Sequence, residues 1–446
     1  LRLSYGEVGN SNVSSFAYQR MGTYVQSIWG TSLQTANIAN PDLTWESTRS
    51  WNAGIDLNFF NNRVEFILDS YIIKTRNLLL QQDYPGYMGT TGNGAAAAQW
   101  ANIGSMENKG FEFTLNTVNI SNRDFQWRTN VTFSLNRNKV ASMNTQNAFI
   151  DKTYQNSGQT EVITRTAVGH PVSQFYGYKA IGRINSASDY LIDNGDGTST
   201  VKIATPVLRV GDCVVNSGTD KGSLVKQVYI GDYIYEDLNN DGVIDEKDQT
   251  YLGSPLPKFT YGINNTFKYK NFDLTVFLYG SYGNKAMNYL SRRITNPNSS
   301  GNVHRSVANH ARLGYLDGNP ENTNVWNMYI LPGSNGLCRM SVNDANDNDR
   351  ISSLYVEDAS FLRIQNIALG YTLPKQWLKK LKIENARIYA NIKNVYTFTG
   401  YDGYDPEIGS TQAQYSYSGQ SMLMYGVDTG RCPSPRIYTF GIDLTF

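Results

Sequence analysis

The last twelve residues, Pro435 to Phe446, alternate strictly. Tyr438, Phe440, Ile442, Leu444 and Phe446 fall on one face, and Ile437, Thr439, Gly441, Asp443 and Thr445 on the other. Successive side chains of a strand point to opposite faces, so the segment predicts a strand that is apolar on one side and mostly polar on the other. Such a strand either buries its apolar face in a soluble core or turns it to lipid as part of a transmembrane β-barrel. The choice rests on how often the pattern recurs.

It recurs throughout the chain. Trp51, Ala53, Ile55, Leu57 and Phe59 alternate with Asn52, Gly54, Asp56 and Asn58, and the turn Asn61-Asn62 leads into Val64, Phe66, Leu68 and Ile72. Phe111 to Leu115 leads through Ser121-Asn122 to Trp127 to Leu135, and Phe259 to Tyr269 leads through Lys270-Asn271 to Phe272 to Leu278. Ile367 to Leu373 joins Ile388 to Ile392 through a turn holding an amphipathic piece, Gln376 to Leu381. With the first and last segments this predicts about ten antiparallel strands in an all-β architecture.

The connections between hairpins are long, spanning roughly 10 to 44, 75 to 108, 139 to 257, 285 to 355 and 399 to 434. Short turns alternating with long loops are the asymmetry of outer-membrane barrels, with short turns on the periplasmic side and long loops outside. If the last strand runs down to the periplasm, every short turn falls on that side. No run of about 18 apolar residues exists, which excludes a helical span but leaves a barrel open.

Composition agrees. Only 17% of the 446 residues are charged and 31 are Tyr, a side chain suited to wet apolar boundaries. The net charge of +1 excludes nucleic acid as a partner, since no basic block could neutralise phosphates. Cys213, Cys338 and Cys432 are odd in number and widely separated, so free thiols or a single bridge from Cys338 to Cys432 are both open. The chain begins at Leu1 in a strand-like run, as expected of the C-terminal part of a longer protein.

The sharpest local motif runs from Asp237 to Asp248. Asp237, Asn239, Asp241, Asp245 and Asp248 stand at positions 1, 3, 5, 9 and 12, Gly242 at 6 and the Val243 carbonyl at 7. This is the spacing of an EF-hand calcium loop, so these six residues are candidate ligands for a structural Ca²⁺. Position 12 holds Asp where Glu is usual, and Tyr233 to Tyr235 and Thr250 to Leu252 on its flanks predict strands rather than helices. Asp193 to Gly197 lacks the later ligands and predicts a plain turn.

No nucleophile elbow, phosphate loop or zinc signature is present, and His170, His304 and His310 fall in loops, so the chain is not read as an enzyme. Glu65, Asp69 and Glu112 alternate with apolar residues and are expected on the polar face of the strands. Trp29, Trp100 and Trp326 are candidate substrate-stacking residues, or packing residues within the loops.

Several segments carry a family resemblance. Asn40 to Glu46, Asn108 to Phe113, the calcium-type loop followed by Leu252 to Lys258, Val356 to Arg363, Gly400 to Pro406 and the terminal strand resemble the SusC/RagA family of TonB-dependent outer-membrane transporters of Bacteroidetes, in order along the whole chain. The resemblance implies the C-terminal ten or so strands of a 22-stranded plugged barrel, a SusD-like surface lipoprotein as lid, oligosaccharide or peptide substrates, outer-membrane lipid around the wall, and a TonB complex reached through an N-terminal region and plug outside these residues. It places the 139 to 257 excursion, with its calcium-type loop, outside the cell. The alternative is a secreted, calcium-stabilised, β-rich glycan-binding module, whose apolar strand faces would have to be covered in a soluble core.

Overall fold

The computed structural model describes the chain except residues 12–14, 83–98, 144–147, 157–158, 216–222, 226–227, 297–298, 300, 335, 342–343, 380–382 and 411–420. Ten strands form one sheet: β1 (Arg2–Asn10), β2 (Glu46–Phe59), β3 (Val64–Arg76), β4 (Ser105–Ser121), β5 (Phe125–Ser142), β6 (Phe259–Tyr269), β7 (Phe272–Tyr282), β8 (Phe361–Thr372), β9 (Asn385–Thr399) and β10 (Ile437–Thr445). Each pairs antiparallel with the next in sequence, and β1 and β10 are the sheet's two edges.

The short turns lie where the Asn and Lys residues predict them. Phe60, Asn61 and Asn62 follow one another with φ of 55°, 53° and 64°, and Lys270 has φ of 52°. Asn accepts this left-handed conformation readily, which allows the chain to reverse within four residues. The β8–β9 turn holds a short helix, Lys375–Leu378; the rest of the amphipathic piece, through Leu381, extends into residues outside those described.

Two adjacent rows of the register define the sheet. Leu57, Phe66, Leu115, Val131, Ile263, Leu278, Ile364 and Tyr396 are successive cross-strand partners from β2 to β9. In the adjacent row, Asn58, Glu65, Asn116, Asn130, Asn264, Phe277, Asn366 and Lys393 pair in the same way. From β2 to β7 a one-residue step, and on β8 and β9 a step across a bulge, thus changes an apolar row into one of five Asn with Glu65, Lys393 and a single apolar member, Phe277, as the two-residue period of a strand requires.

Several polar-face side chains bond across strands, while the buried Oδ1 atoms of Asn264, Asn366 and Asn391 have no hydrogen-bond partner among the described residues. Asn116 donates to Glu65 at 2.8 Å and Asn130 to Asn116 at 2.6 Å. Arg2 reaches Asp56 and Asp69 at 2.8 and 3.0 Å, and Arg387 reaches Asp273 and Asp443 at 2.6 and 3.3 Å. Glu65, Asp69 and Glu112 all lie on this face, as expected.

The apolar face is uncovered among the described residues. Phe440, Ile442 and Tyr438 are 79%, 63% and 59% exposed. Aromatic rings mark its two margins: Phe272 and Tyr371 (4.6 Å between centroids) and Trp127 and Phe267 (5.7 Å) near the short turns, Phe259 and Tyr282 (5.0 Å) near the long connections. The secreted-module alternative requires this face to be buried, and the fold leaves it open.

The long connections are not structureless. One apolar cluster unites Ile184, Tyr190, Leu191, Val201 and Ile230 of the 143–258 segment with Ala311, Val325, Met328 and Ile330 of the 283–360 segment. A second joins Tyr154, Ile163 and Phe175 to Met287, Tyr289, Ile351 and Tyr355, and to Met424 and Val427 of the 400–436 segment. Three separate excursions therefore pack into one body at the long-connection end of the sheet.

Candidate functional site

The calcium-type loop sits within this body, between the strands Tyr233–Tyr235 and Gln249–Gly253 expected on its flanks. Asn240 (φ 58°) and Gly242 (φ 85°) make the reversal at its centre, and residues 246–248 form one 3-10 turn. Its side chains are held by the loop's own amides. Asp237 Oδ2 accepts from Gly242 N at 2.9 Å, Asn239 Oδ1 from Asp241 N at 3.0 Å, Asp241 Oδ1 from Val243 N at 3.1 Å and Asp245 Oδ1 from Lys247 N at 2.8 Å. Each oxygen at positions 1, 3, 5 and 9 is thereby fixed in orientation before any ion is considered.

Position 12 behaves differently. Asp248 is fully buried, accepting from Leu238 N at 2.9 Å through Oδ1 and from Asp245 N at 2.8 Å through Oδ2, so it clamps the two ends of the loop together. Lys247 lies 3.5 and 3.3 Å from Asp241 and Asp245, a cation between the carboxylates of positions 5 and 9. Hydrogen bonds from the Val243 amide and from Asn239, together with Lys247, hold the Asp241 carboxyl below its ordinary range. Asp237 Oδ1 is buried with no hydrogen-bond partner. Among the described residues no three His, Cys, Asp or Glu side chains converge as a metal group.

The candidate tryptophans lie on three separate connections. Trp29 is at the tip of the hairpin Gly22–Ser27 and Gly30–Thr35, 91% exposed beside the equally exposed Ile28. Trp100 lies in the Leu79–Gln82 and Gln99–Asn102 hairpin, where its carbonyl accepts from Asn40 at 2.8 Å. Trp326 packs against the Ile184, Tyr190 and Met328 cluster, with its indole nitrogen buried and without a hydrogen-bond partner.

Several ionic devices have no signal in the linear sequence, because their members are brought together from distant parts of the chain. Arg292 is buried and grips Glu161 through both terminal nitrogens at 2.6 Å, with Asp349 at 3.7 Å. Asp232, fully buried, accepts from Arg339 at 2.7 Å, Asn348 at 3.0 Å and Tyr229 N at 2.9 Å; burial pushes its carboxyl up while Arg339 opposes the rise. Arg363, on β8, is buried against Asp405 and Glu407 at 2.5 and 2.8 Å, tying the 400–436 segment to the sheet. Breaking such buried pairs costs several kcal/mol, about 3 to 5, so the loops hold a defined surface. The possible Cys338–Cys432 bridge is not formed: all three cysteines are free, Cys338 buried and Cys432 exposed. His170 stacks on Tyr251 at 4.1 Å and His304 caps a 3-10 turn, so neither is poised for catalysis.

The β-barrel model of the TonB dependent receptor-like family matches residues 1–202. TonB-dependent receptor P3 of Formosa agariphila is 31% identical over 452 residues, covering all of this chain and 39% of that protein. TonB-dependent receptor SusC of Bacteroides thetaiotaomicron is 25% identical over 460 residues, covering all of this chain and 37% of that protein. Among solved structures, the RagAB peptide transporter matches the fold over 100% of this chain and 40% of that chain, with a TM-score of 0.66 and 21% identity. The chain spans about two fifths of the length of the relatives it matches.

Proposed function

Because the chain belongs to the SusC/RagA-type TonB-dependent outer-membrane receptors, as part of their barrel, we propose that it supplies wall and roof for a chamber that imports oligosaccharides or peptides. The observation that carries this reading is the pair of adjacent register rows, one apolar and one Asn-rich. The apolar row meets outer-membrane lipid and the polar row lines a wet interior; a soluble sheet would instead cover its apolar row with a core, and among the described residues nothing covers it. The packed body of three excursions then stands over that interior as a shaped roof.

In this reading the intact protein is energised through a TonB complex contacting a region outside this chain, and is closed by a SusD-like surface lipoprotein. The exposed hairpin bearing Tyr24, Ile28, Trp29 and Leu33 offers that lipoprotein an apolar docking edge, with exposures of 79%, 90%, 91% and 69%. In the intact parent, Ile28→Ser with Trp29→Ser is expected to leave the barrel in the outer membrane, reduce lipoprotein co-purification at least tenfold, and lower uptake of labelled peptide or oligosaccharide mixtures. Undiminished co-purification and uptake would remove the lid from this proposal.

The calcium-type loop is proposed to hold Ca²⁺ through Asp237, Asn239, Asp241, the Val243 carbonyl, Asp245 and Asp248. Three features support the fit: the partnerless Asp237 Oδ1, the oriented oxygens of positions 3, 5 and 9, and a Lys247 ammonium already drawn to two of the carboxylates. The ion would supply charge neutralisation and rigidity to the roof, with no part in chemistry. Terbium luminescence on the intact protein should be lost in Asp237→Ala with Asp241→Ala and competed away by Ca²⁺. A signal unaltered by both substitutions would sink the assignment.

A further inference from the structure

On β6 to β10 no described residue carries a charge on the apolar face, whereas β1 to β5 concentrate charge there, all of it at the ends next to the long connections. Glu7, Arg49, Lys74, Glu107 and Lys139 are successive cross-strand partners, forming one line across five strands. Lys109 and Arg137 form a pair one step nearer the membrane, and Arg76 lies one step farther out, giving six cations against two carboxylates.

The carboxylates are already engaged. Glu7 binds Arg49 at 3.1 Å, and Glu107 is shared by Lys109 at 2.6 Å and Lys74 at 3.5 Å. Arg76 and Lys139 have no carboxylate within ion-pair distance among the described residues, and Arg137 donates only to the carbonyls of Asn136 and Lys258. Uncompensated cations at the outer border of an apolar band call for an anion that lives in that border.

Two cavities lie in line with this charge. Arg76 lines a pocket of about 420 Å³ with Gly104, Ser105 and Ser142, whose two hydroxyls are 2.6 Å apart. On the membrane side of the charged line, small Ala53 and Ser70 leave an apolar groove of about 510 Å³ bounded by Leu3, Tyr5, Trp51 and Ile72. Along β3 the order is therefore Ser70 and Ile72 in the groove, then Lys74, then Arg76 in the pocket. Successive outward residues stand about 7 Å apart, so the whole site is one amphiphile long.

We propose that this face binds a membrane lipid with a phosphorylated headgroup. The phosphate occupies the Arg76 pocket, where a planar guanidinium and two hydroxyls match its oxygens. Lys109 and Lys139 flank the headgroup, and one acyl chain lies in the Leu3–Ile72 groove. The site rests on the apolar face being lipid-facing, and its occupant belongs to the outer leaflet because the charge sits at the long-connection end.

The test uses the intact parent protein in detergent, titrated with diphosphoryl lipid A, with the same lipid after phosphatase treatment, and with inorganic phosphate, read by native mass spectrometry. Arg76→Gln and Lys139→Gln, each at an exposed position, are expected to weaken the phosphorylated lipid about fivefold apiece. Ser70→Leu fills the groove and is expected to weaken the lipid without changing the response to inorganic phosphate. Unchanged melting temperatures report that the variants fold. Equal binding of the dephosphorylated lipid, unaltered binding by both charge variants, or inorganic phosphate binding as tightly as the lipid would each overturn the proposal.

Discussion

Replacing Leu278 with Arg tests the assignment of faces at its most sensitive point. Strand β7 has eleven residues with an aromatic ring at each end, Phe272 and Tyr282. Ten steps of about 3.4 Å along a strand tilted by about 45° rise about 24 Å, close to the apolar band of about 25 Å expected of such barrels. Phe277 is the middle residue, so its outward neighbour Leu278 lies about 2 to 3 Å from the midplane. Its partners Ile263 and Ile364 offer an arginine no acceptor. The expected cost is about 2 to 4 kcal/mol, a shift of roughly 30- to 700-fold in the folding equilibrium.

Thr275→Arg is the control on the same strand. Thr275 pairs with Thr266 and Ala368 on the polar face, where Asp273 stands two residues away. Its cost is expected below about 1 kcal/mol, the range of substitutions that disturb no special feature. Denaturant titrations of the intact protein in lipid vesicles, followed by tryptophan fluorescence, give both values. Equal costs at the two positions, or a larger one at Thr275, would refute the face assignment and with it the barrel wall.

The roof offers two further tests. Burial pushes the Asp349 carboxyl up to about 6 against the pull of Arg292, with Asp347 adding to the rise. A carboxyl raised on folding contributes stability that is full below its unfolded value, near 4, and is lost as pH rises through about 6. Hydrogen-exchange protection in the 283–360 segment, taken relative to the intrinsic exchange rate at each pH, should therefore be higher at pH 5 than at pH 7.5, and Asp349→Asn should flatten that dependence; an unchanged slope in the variant would exclude Asp349 as its source. Gly177→Ala would drive a Cβ into the Ile351 carbonyl oxygen, which also accepts from Tyr178 N at 2.9 Å, so neither backbone can yield easily. It should destabilise the roof by about 1 to 3 kcal/mol, read as earlier proteolysis of the 143–258 segment; wild-type resistance would show that the backbones part at little cost.

All ten strands, their order and their faces were legible in the sequence, because alternation is a local property and short turns pair neighbours. Leu444 and Thr445, or Glu65 and Phe66, need only their own positions in the two-residue period to be assigned a side. The calcium-type spacing was legible for the same reason: its six oxygens lie within twelve consecutive residues. Local spacing did not reveal that Asp248 spends both oxygens on backbone amides, or that Lys247 stands between Asp241 and Asp245.

Only the tertiary structure decided what the long connections are. Nothing near Glu161 announces Arg292, and Asp232 is separated from Arg339 by more than a hundred residues. The clusters that make the roof take members from three excursions, none of which holds a complete core alone. The line of charge from Glu7 to Lys139 was likewise invisible, since each strand contributes one or two members and only the register aligns them. Periodicity along a chain is set by backbone geometry and can be read residue by residue. Convergence of distant segments is set by which surfaces bury each other, and that is decided when the chain closes on itself.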